Sequence, residues 1–458
     1  MTTIHAAVLA ALVGAPAFAQ TVEDDAARAA REAQTRTEAQ ETAAEAKARR
    51  PVEGAGEVTY EDVLKNPDDV ELNYRWAKKQ IEAGDLKGAS ATLERILMVK
   101  PGLTKVRLTF AVVLFRLDSI PEARRELEAV KRQASGAVAA EAADYLRRVE
   151  ARERRTHAHG MLGVGYAWDT NRNAGPASDQ RLLRGTALNL TTGRAKDDTS
   201  VVFLAQAGVR RDLRRFPGST FGGDFTYYRA EQTNLNTLDL QAYSFSVGPS
   251  LRLGRTVVSP AAVFDHIRLS EETYLRTRGA RVKAERRVNK TLTLNASLAA
   301  VFNEHIRTSD VPTAVERTGN ETTLTGGAQL TFSPTQRVNL SAGYQQRDAR
   351  KMYNAYDRHS FGLTHSWLLG KGRFLLSGLN LDVDRYRAPD LAIANQERAD
   401  DKARLSLTFG QPLSPLGKLF EPFLFTASYE YLQVNSNILN YAYTNNKVSG
   451  MLTYRWDY

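Results

Sequence analysis

The spacing of apolar residues changes once along the chain, near residue 158. Before this point, apolar residues recur about every 3.6 positions, which indicates amphipathic helices. After it, they alternate with polar residues to the end of the sequence, which indicates strands with one apolar and one polar face. In 291–302, for example, Leu292 and Leu294 fall on one face and Thr293 on the other. We therefore expect a helical N-terminal part and an all-β C-terminal part.

The helical part contains a sequence repeat between residues 70 and 134. Small and apolar residues recur 34 positions apart: Ala77 with Ala111, Ala89 with Ala123, Trp76 with Phe110, Leu93 with Leu127, and Ile96 with Val130. The turn signals Gly84-Asp85 and Leu117-Asp118 repeat one position out of phase. This period is that of the tetratricopeptide (TPR) repeat, a helix–turn–helix unit. Because a solenoid needs about three units to bury its faces, we expect a helix over 136–153 to cap the two repeats.

The first helix of each repeat would line the concave groove of the TPR unit. The candidate groove residues are Tyr74, Lys78, Ile81, Glu82, Leu108, Val112, Phe115 and Arg116. Most of those in the second repeat are apolar. They either contact a partner or pack on the next helix, and the sequence leaves both possibilities open.

The β part predicts an all-β transmembrane barrel of about fourteen antiparallel strands. We place them near 159–168, 198–212, 219–231, 239–253, 256–269, 272–287, 290–303, 321–333, 336–347, 355–369, 372–386, 401–411, 420–433 and 444–458. Many exceed the about 9–11 residues that a tilted strand needs to cross a bilayer. A soluble sandwich also alternates its faces. Short and long links alternate, however, which is typical of membrane barrels with short periplasmic turns and longer outer loops. Two links depart from this pattern: the outer link at 269–271 is short, and the periplasmic link at 412–419 is long.

Two further segments, before the helical part, complete the expected order of four. Residues 1–19 resemble a secretory signal, with an apolar run from Ala6 to Ala15 and a cleavage site at Ala17-Phe18-Ala19. The run lacks a preceding Lys or Arg, so the true start codon could lie upstream. Residues 20–56 form a low-complexity leader, 57–156 a periplasmic TPR-like helical domain and 157–458 the barrel. Since no later run of about eighteen apolar residues exists, a membrane-spanning part must be a barrel.

The last strand carries an aromatic face that ends the sequence. Tyr454, Trp456 and Tyr458 share one face of this strand. Such a strand is typical of barrels that the outer-membrane barrel assembly machinery recognises, so we expect that machinery and outer-membrane lipid among the partners.

Composition and motifs limit the chemistry that the chain can perform. With no cysteine, disulfides and thiol catalysis are excluded. No hydrolase, metalloprotease or phosphate-binding motif appears, so we expect no enzyme activity, catalytic residue, cofactor or metal site. The net charge of +10 is not concentrated in a basic tract, and we expect no nucleic-acid partner.

Each of three sets of polar residues has two possible interpretations. Asp169, Asn171 and Asn173 match the first half of a calcium loop, but a turn held by their side chains is favoured, since Ala174 and Gln180 break the pattern. His157 and His159 form a solvated pair more readily than a metal site. A basic cluster on adjacent strands would either contact cargo in the lumen or pair with acidic neighbours: Arg268, Arg276, Arg278, Arg281, Lys283, Arg286 and Arg287.

The whole layout resembles the surface lipoprotein assembly modulators (Slam), which combine a signal, TPR helices and a barrel. The stretch from Gly163 to Ala174 is similar to the first barrel strand of that family, a G-x-x-Y segment followed by D-[ST]-N-x-N. The resemblance implies an outer-membrane protein, with its TPR domain in the periplasm, that moves specific lipoproteins or secreted proteins to the cell surface. Many cargoes of the family capture iron or haem. The alternatives are a passive porin-like channel and an exopolysaccharide exporter.

Overall fold

The chain comprises a helical unit and a β-barrel unit. The computed structural model describes residues 58–66, 68–189, 193–214 and 216–457, so the expected signal 1–19, the leader 20–56 and Tyr458 lie outside the described residues. The helical unit ends at Arg155 and the barrel unit begins at Thr156. Within the described ranges, no helix has both the length and the apolar character needed to cross a membrane.

The helical unit consists of antiparallel helix pairs. Its described helices are α1 (Tyr60–Lys65), α2 (Val70–Glu82), α3 (Leu86–Val99), α4 (Thr104–Arg116), α5 (Ile120–Gln133) and α6 (Gly136–Glu153). Asp69 and Asp85 cap α2 and α3, since their carboxylates accept hydrogen bonds from the backbone N–H groups of the first turn. The α2–α3 and α4–α5 pairs correspond to the two predicted repeats, and α6 packs on them through Ala142 and Val149.

Residues 34 positions apart have the same role in the two repeats. Ala77 and Ala111 are fully buried, as are Ala89 and Ala123, where the missing bulk lets neighbouring helices approach. Gly84 (φ 81°) and Asp118 (φ 64°) both adopt the left-handed conformation that ends a helix. These two turns are therefore in phase at the 34-residue spacing, and not one position apart as the sequence suggested.

The barrel unit is a closed antiparallel sheet of fourteen strands, which confirms the predicted fold class. The barrel strands are β1 (Thr156–Asp169), β4 (Asp198–Asp212), β5 (Thr220–Gln232), β6 (Leu240–Leu253), β7 (Thr256–Leu269), β8 (Glu272–Arg287), β9 (Leu292–His305), β10 (Gly319–Ser333), β11 (Gln336–Arg347), β12 (Tyr356–Gly370), β13 (Arg373–Pro389), β14 (Glu397–Pro412), β15 (Phe423–Ser436) and β16 (Tyr443–Asp457). Each strand pairs with its neighbour in sequence, and β1 pairs with β16 to close the barrel.

A short hairpin that the sequence did not predict lies in the first long loop. It consists of β2 (Gln180–Leu183) and β3 (Thr186–Asn189). The amide of Asn440 holds it by accepting from the N–H of Leu182 (2.7 Å) and donating to the carbonyl of Leu182 (3.0 Å).

The two ends of the barrel differ in their connections. At the loop end, strands are joined by 170–197, 233–239, 270–271, 306–318, 348–355, 390–396 and 437–442. At the turn end, the links are 213–219, 254–255, 288–291, 334–335, 371–372 and 413–422. The two-residue loop-end link has positive φ at Ser270 and Glu271, as both central positions of a type I′ turn require. Both Thr156 and Asp457 lie at the turn end.

The two faces of the barrel wall have opposite character. Large apolar side chains are exposed on the outward face, including Leu162, Val164, Phe203, Phe225, Phe245, Phe264, Leu298, Leu324, Phe361, Leu405, Phe425 and Leu452. Small polar residues point inward between them, including Ser246, Ser259, Asn295, Thr325, Ser341, Thr364, Asn380, Ser406, Ser428 and Ser449. An apolar exterior around a polar interior is the arrangement that transmembrane barrels require.

Candidate functional site

A buried ionic network lies on the inner wall of the barrel at the loop end. Asp384 is fully buried and accepts two hydrogen bonds from Arg358, at 2.6 and 2.8 Å, and one from Lys402 at 2.6 Å. Asp400 is also fully buried and accepts from Arg398 at 2.9 and 2.6 Å. Each carboxylate therefore has a bidentate arginine partner, which is the geometry that stabilises a buried charge.

Aromatic rings cover the arginines of this network. The guanidinium of Arg398 lies 3.5 Å from the ring centroid of Tyr441 and 4.6 Å from that of Tyr386. Arg358 lies 5.2 Å from the ring centroid of Tyr356. Cation–π contacts and ion pairs together fix the side chains of β12, β13 and β14 to one another on the inner wall.

A second polar group fills the neighbouring sector. Arg347 lies 3.8 Å from Glu321 and 3.3 Å from the Nε2 atom of His305. The guanidinium of Arg317 donates to the hydroxyl of Tyr274 at 3.1 Å. Arg317 belongs to the loop 306–318, so this loop is tied to the inner wall of the barrel.

Apolar and hydrogen-bonded contacts hold the long loops over these groups. Val311 and Ala314 are fully buried against the wall residues Leu240 and Tyr274. The hydroxyl of Tyr353 donates to Glu316, and burial together with this contact raises the pKa of Tyr353 well above its ordinary value. The lumen is therefore lined by small polar residues over much of its length and narrowed by large buried side chains at the loop end.

The predicted basic cluster is divided between the two faces of the wall. Arg281 and Lys283 point into the lumen, because they pair in register with the inward Ala261 and Ser259. Arg276, Arg278 and Arg286 fall on the other face, the outward one that also carries Phe264. The interpretation as one luminal cluster was wrong, since successive residues of a strand point to opposite sides.

The candidate groove residues of the helical unit have mixed environments. Leu108 is buried in the core of the unit, while Tyr74, Ile81, Val112 and Phe115 are half-buried against that core. The charged candidates Lys78, Glu82 and Arg116 are exposed.

Individual contacts show what holds two of these groove residues. The ring of Phe115 packs edge-on against Tyr145 of α6, with centroids 6.0 Å apart. The ammonium of Lys78 lies 4.5 Å from the ring centroid of Tyr74. Binding of a partner to this groove stays a prediction.

The aromatic residues of the last strand lie at the seam where the barrel closes. Tyr454 and Trp456 are partly exposed, with ring centroids 5.9 Å apart, and Tyr454 also contacts Phe423 at 5.2 Å. Trp456 pairs in register with Gly160 of β1, and its ring occupies the space where a side chain of residue 160 would begin. Their recognition by the assembly machinery stays a prediction.

Side-chain amides fix the start of the first long loop. The amide oxygen of Asn171 accepts from the N–H of Gly175 at 2.7 Å, and its nitrogen donates to the carbonyl of Gly175 at 2.8 Å. Asn173 accepts from the N–H of Lys196 at 2.8 Å, and Asp169 accepts from Asn445 at 2.8 Å. All three side chains thus have structural partners.

The two histidines at the start of the barrel each face a carboxylate on a neighbouring strand. The Nε2 atom of His157 lies 3.8 Å from Asp212 and that of His159 lies 3.5 Å from Asp224. Among the described residues, no group of three or more His, Asp or Glu side chains is arranged to hold a metal ion.

Comparison with known proteins gives limited matches. A family described as a protein of unknown function, DUF2860, matches residues 258–455, which run from β7 to β16. No curated protein matches the chain. The Slam family is not named by any of these matches, so that resemblance stays a prediction.

Solved structures resemble each unit separately. A tetratricopeptide repeat domain protein from Salinibacter ruber has 17% identity and a TM-score of 0.18, covering 19% of this chain and 93% of its own. A Pseudomonas aeruginosa FadL homologue has 10% identity and a TM-score of 0.36, covering 67% and 91%. A bacterial polysaccharide outer membrane secretin has 11% identity and a TM-score of 0.35, covering 64% and 98%. TM-scores this low support no conclusion about function. The function has to be argued from the geometry of this chain.

Proposed function

We propose that this protein is an outer-membrane export factor that helps specific lipoproteins or secreted proteins reach the cell surface. The observation that carries the proposal is the junction between its two units: α6 ends at Glu153 and β1 begins at Thr156. A repeat of the protein-binding TPR type is thus joined by two residues to a barrel whose lumen is narrowed at the loop end by buried side chains. A passive pore needs neither feature. The Slam resemblance supports the same reading and suggests cargoes that capture iron or haem.

The topology supports an orientation for such a factor. Both ends of the barrel sequence lie at the turn end, and short turns face the periplasm in bacterial barrels. The signal-like segment 1–19 would deliver the helical unit to the periplasm, on that same side of the membrane. Cargo arriving in the periplasm would then meet the helical unit before the barrel.

Two routes across the barrel are consistent with its geometry. The loop-end network would have to open for cargo to pass through the lumen. The alternative is the seam between β1 and β16, where Gly163, Gly165 and Gly450 contribute no side chain to packing between the strands. Because the sequence has no nucleotide-binding motif, folding of the cargo outside the cell would supply the direction of transport.

Surface labelling of a co-expressed cargo tests the proposal. The candidate cargo is a lipoprotein or secreted protein encoded beside this gene, detected by antibody on intact cells. We expect labelling to rise strongly when this protein is present, with total cargo unchanged. Equal labelling with and without the protein, for every neighbouring candidate, would reject the proposal.

A passive channel is the second candidate, because small polar residues line much of the lumen. The two functions differ in resting conductance. In a planar bilayer, the export factor should have a low conductance, since the buried side chains of β12, β13 and β14 narrow the lumen at its loop end. A large, permanently open conductance for the intact protein would favour the channel.

A further inference from the structure

Four arginines gather on the outward face of the barrel at the loop end. Arg229 and Arg268 flank Gln241 in one cross-strand row, and Arg268 donates to the amide oxygen of Gln241 at 3.1 Å. Arg276 and Arg278 follow on β8. We call Arg229, Arg268, Arg276 and Arg278 the outward arginine patch.

The arginines of the patch differ in their ion pairs from the arginines on the opposite side of the barrel. On β13, the outward Arg385 and Arg387 form ion pairs with Asp401 at 3.0 Å and with Asp357 at 2.9 Å. In the patch, only Arg229 has an acidic partner, Glu231. Arg276 and Arg278 are exposed, and no carboxylate oxygen of the described residues lies within 4.0 Å of either guanidinium, although Glu304 is the register partner of Arg276. Their positive charge is therefore available to an external anion.

Apolar surface adjoins the patch on the side away from the loop end. Phe225, Phe245 and Phe264 form a cross-strand row on the same outward face, and Phe264 is the register partner of Arg278. The rings of Phe245 and Phe264 stack with centroids 6.5 Å apart. The patch thus lies at the border of the apolar band, where lipid head groups meet acyl chains.

A pocket opens beside Arg278 on the same face. Its volume is about 750 Å³, and its lining includes Ala300, Phe302, Asn320 and Thr322. The carboxylates of Glu321 and Asp348 also line it, and they form ion pairs with Arg347 and Arg387. The guanidinium of Arg278 lies 5.4 Å from the ring centroid of Phe302, which holds the side chain at the rim. The small residues Ala300 and Thr322 leave room for a chain or sugar beneath the charged group.

We propose that the outward arginine patch and this pocket bind a phosphorylated glycolipid of the outer leaflet. The guanidinium forks of Arg276 and Arg278 would bind its phosphates, and its acyl chains would lie along the phenylalanine row. Phosphate is the expected anion because it offers several oxygens to the arginine fork, while the adjoining apolar surface requires acyl chains. This inference rests on the proposed function in one respect only, the orientation that places the loop end of the barrel at the cell surface.

Binding of two matched lipids to the full-length protein in detergent tests the inference. The probes are bisphosphorylated lipid A and the same lipid with both phosphates removed, titrated under native mass spectrometry. Arg276→Gln with Arg278→Gln should weaken binding of the phosphorylated lipid by roughly tenfold or more. The control Arg286→Gln lies on the same strand and outward face but near the turn end, and should bind as the unmodified protein does.

Several outcomes would overturn the inference. One is equal binding of the two lipids by the unmodified protein. This comparison does not need the double variant, so it decides the question even if that variant fails to insert. An equal loss with Arg286→Gln would show unspecific attraction to charge. Arg278→Lys keeps the charge but not the fork, so its binding should lie between that of the unmodified protein and that of the double variant. Binding equal to that of the unmodified protein would show that charge alone suffices and would overturn the role of the fork. The measurement needs no cargo, so its failure is separate from failure of the export proposal.

Discussion

At the scale of single residues, alternation told us which side chains share a face but not which face is inside. On β8, the basic residues occupy both parities: Arg276, Arg278 and Arg286 point outward, while Arg281 and Lys283 point inward. The positions of the basic residues therefore did not show which face of β8 lines the lumen. The absolute direction came from register with strands such as β7, whose exposed Phe264 marks the outer surface.

Gly160 gives a residue-scale prediction about closure of the barrel. A Cβ atom at this position would lie 2.0 Å from the ring of Trp456 across the seam. Gly160→Ala should therefore displace the ring and lower stability by about 1–3 kcal/mol. The measurement is the temperature at which the folded band on an SDS gel shifts to the unfolded position.

The control for this substitution is Gly326→Ala on β10, where an added Cβ meets nothing within 4 Å. It should leave the transition temperature unchanged or slightly raised. If both variants shift equally, the close contact between Gly160 and Trp456 does not hold the seam.

At the scale of elements, the sequence predicted most of the architecture. The 34-residue spacing located the helix pairs, and Gly84 and Asp118 keep that spacing in the turns. The alternating pattern located all fourteen barrel strands, because each has one face in a polar lumen and one on an apolar exterior. The β2–β3 hairpin was missed because its strands have only four residues each and depend on contacts such as that with Asn440.

The loop-end network also could not be predicted from the sequence. Its central carboxylate, Asp384, lies 26 positions from Arg358 and 18 from Lys402, and only the register of β12, β13 and β14 brings the three together. Asp384→Asn would leave these two cations without their shared counter-charge, and should cost about 3–5 kcal/mol. It should also raise conductance in planar bilayers, because the Arg358 and Lys402 side chains that narrow the lumen lose their anchor.

Asp401→Asn is the matched control for that prediction. It removes one carboxylate from the neighbouring strand, but the Arg385–Asp401 pair is more than half exposed, so its loss should have little effect on stability or conductance. Similar stability and conductance of the two variants would contradict the role of the network in narrowing the lumen at the loop end.

At the scale of the whole molecule, orientation is open to a direct test. The chain has no cysteine, so single introduced cysteines can be labelled without background. Leu391 in loop 390–396 and Leu419 in turn 413–422 are both exposed leucines, at 66% and 80%. A membrane-impermeant maleimide should label Leu391→Cys on intact cells and Leu419→Cys only after the outer membrane is opened. The reverse pattern would place the loop end in the periplasm.

The central claim is that the helical unit and the barrel act together to bring a protein cargo to the cell surface. The most direct measurement is antibody labelling of a neighbour-encoded cargo on intact cells that carry the full chain, the chain without residues 58–153, or neither. We expect strong labelling with the full chain and loss of labelling without the helices, while the barrel still shows its heat-modifiable gel shift. Full labelling in cells that carry neither protein would contradict the claim.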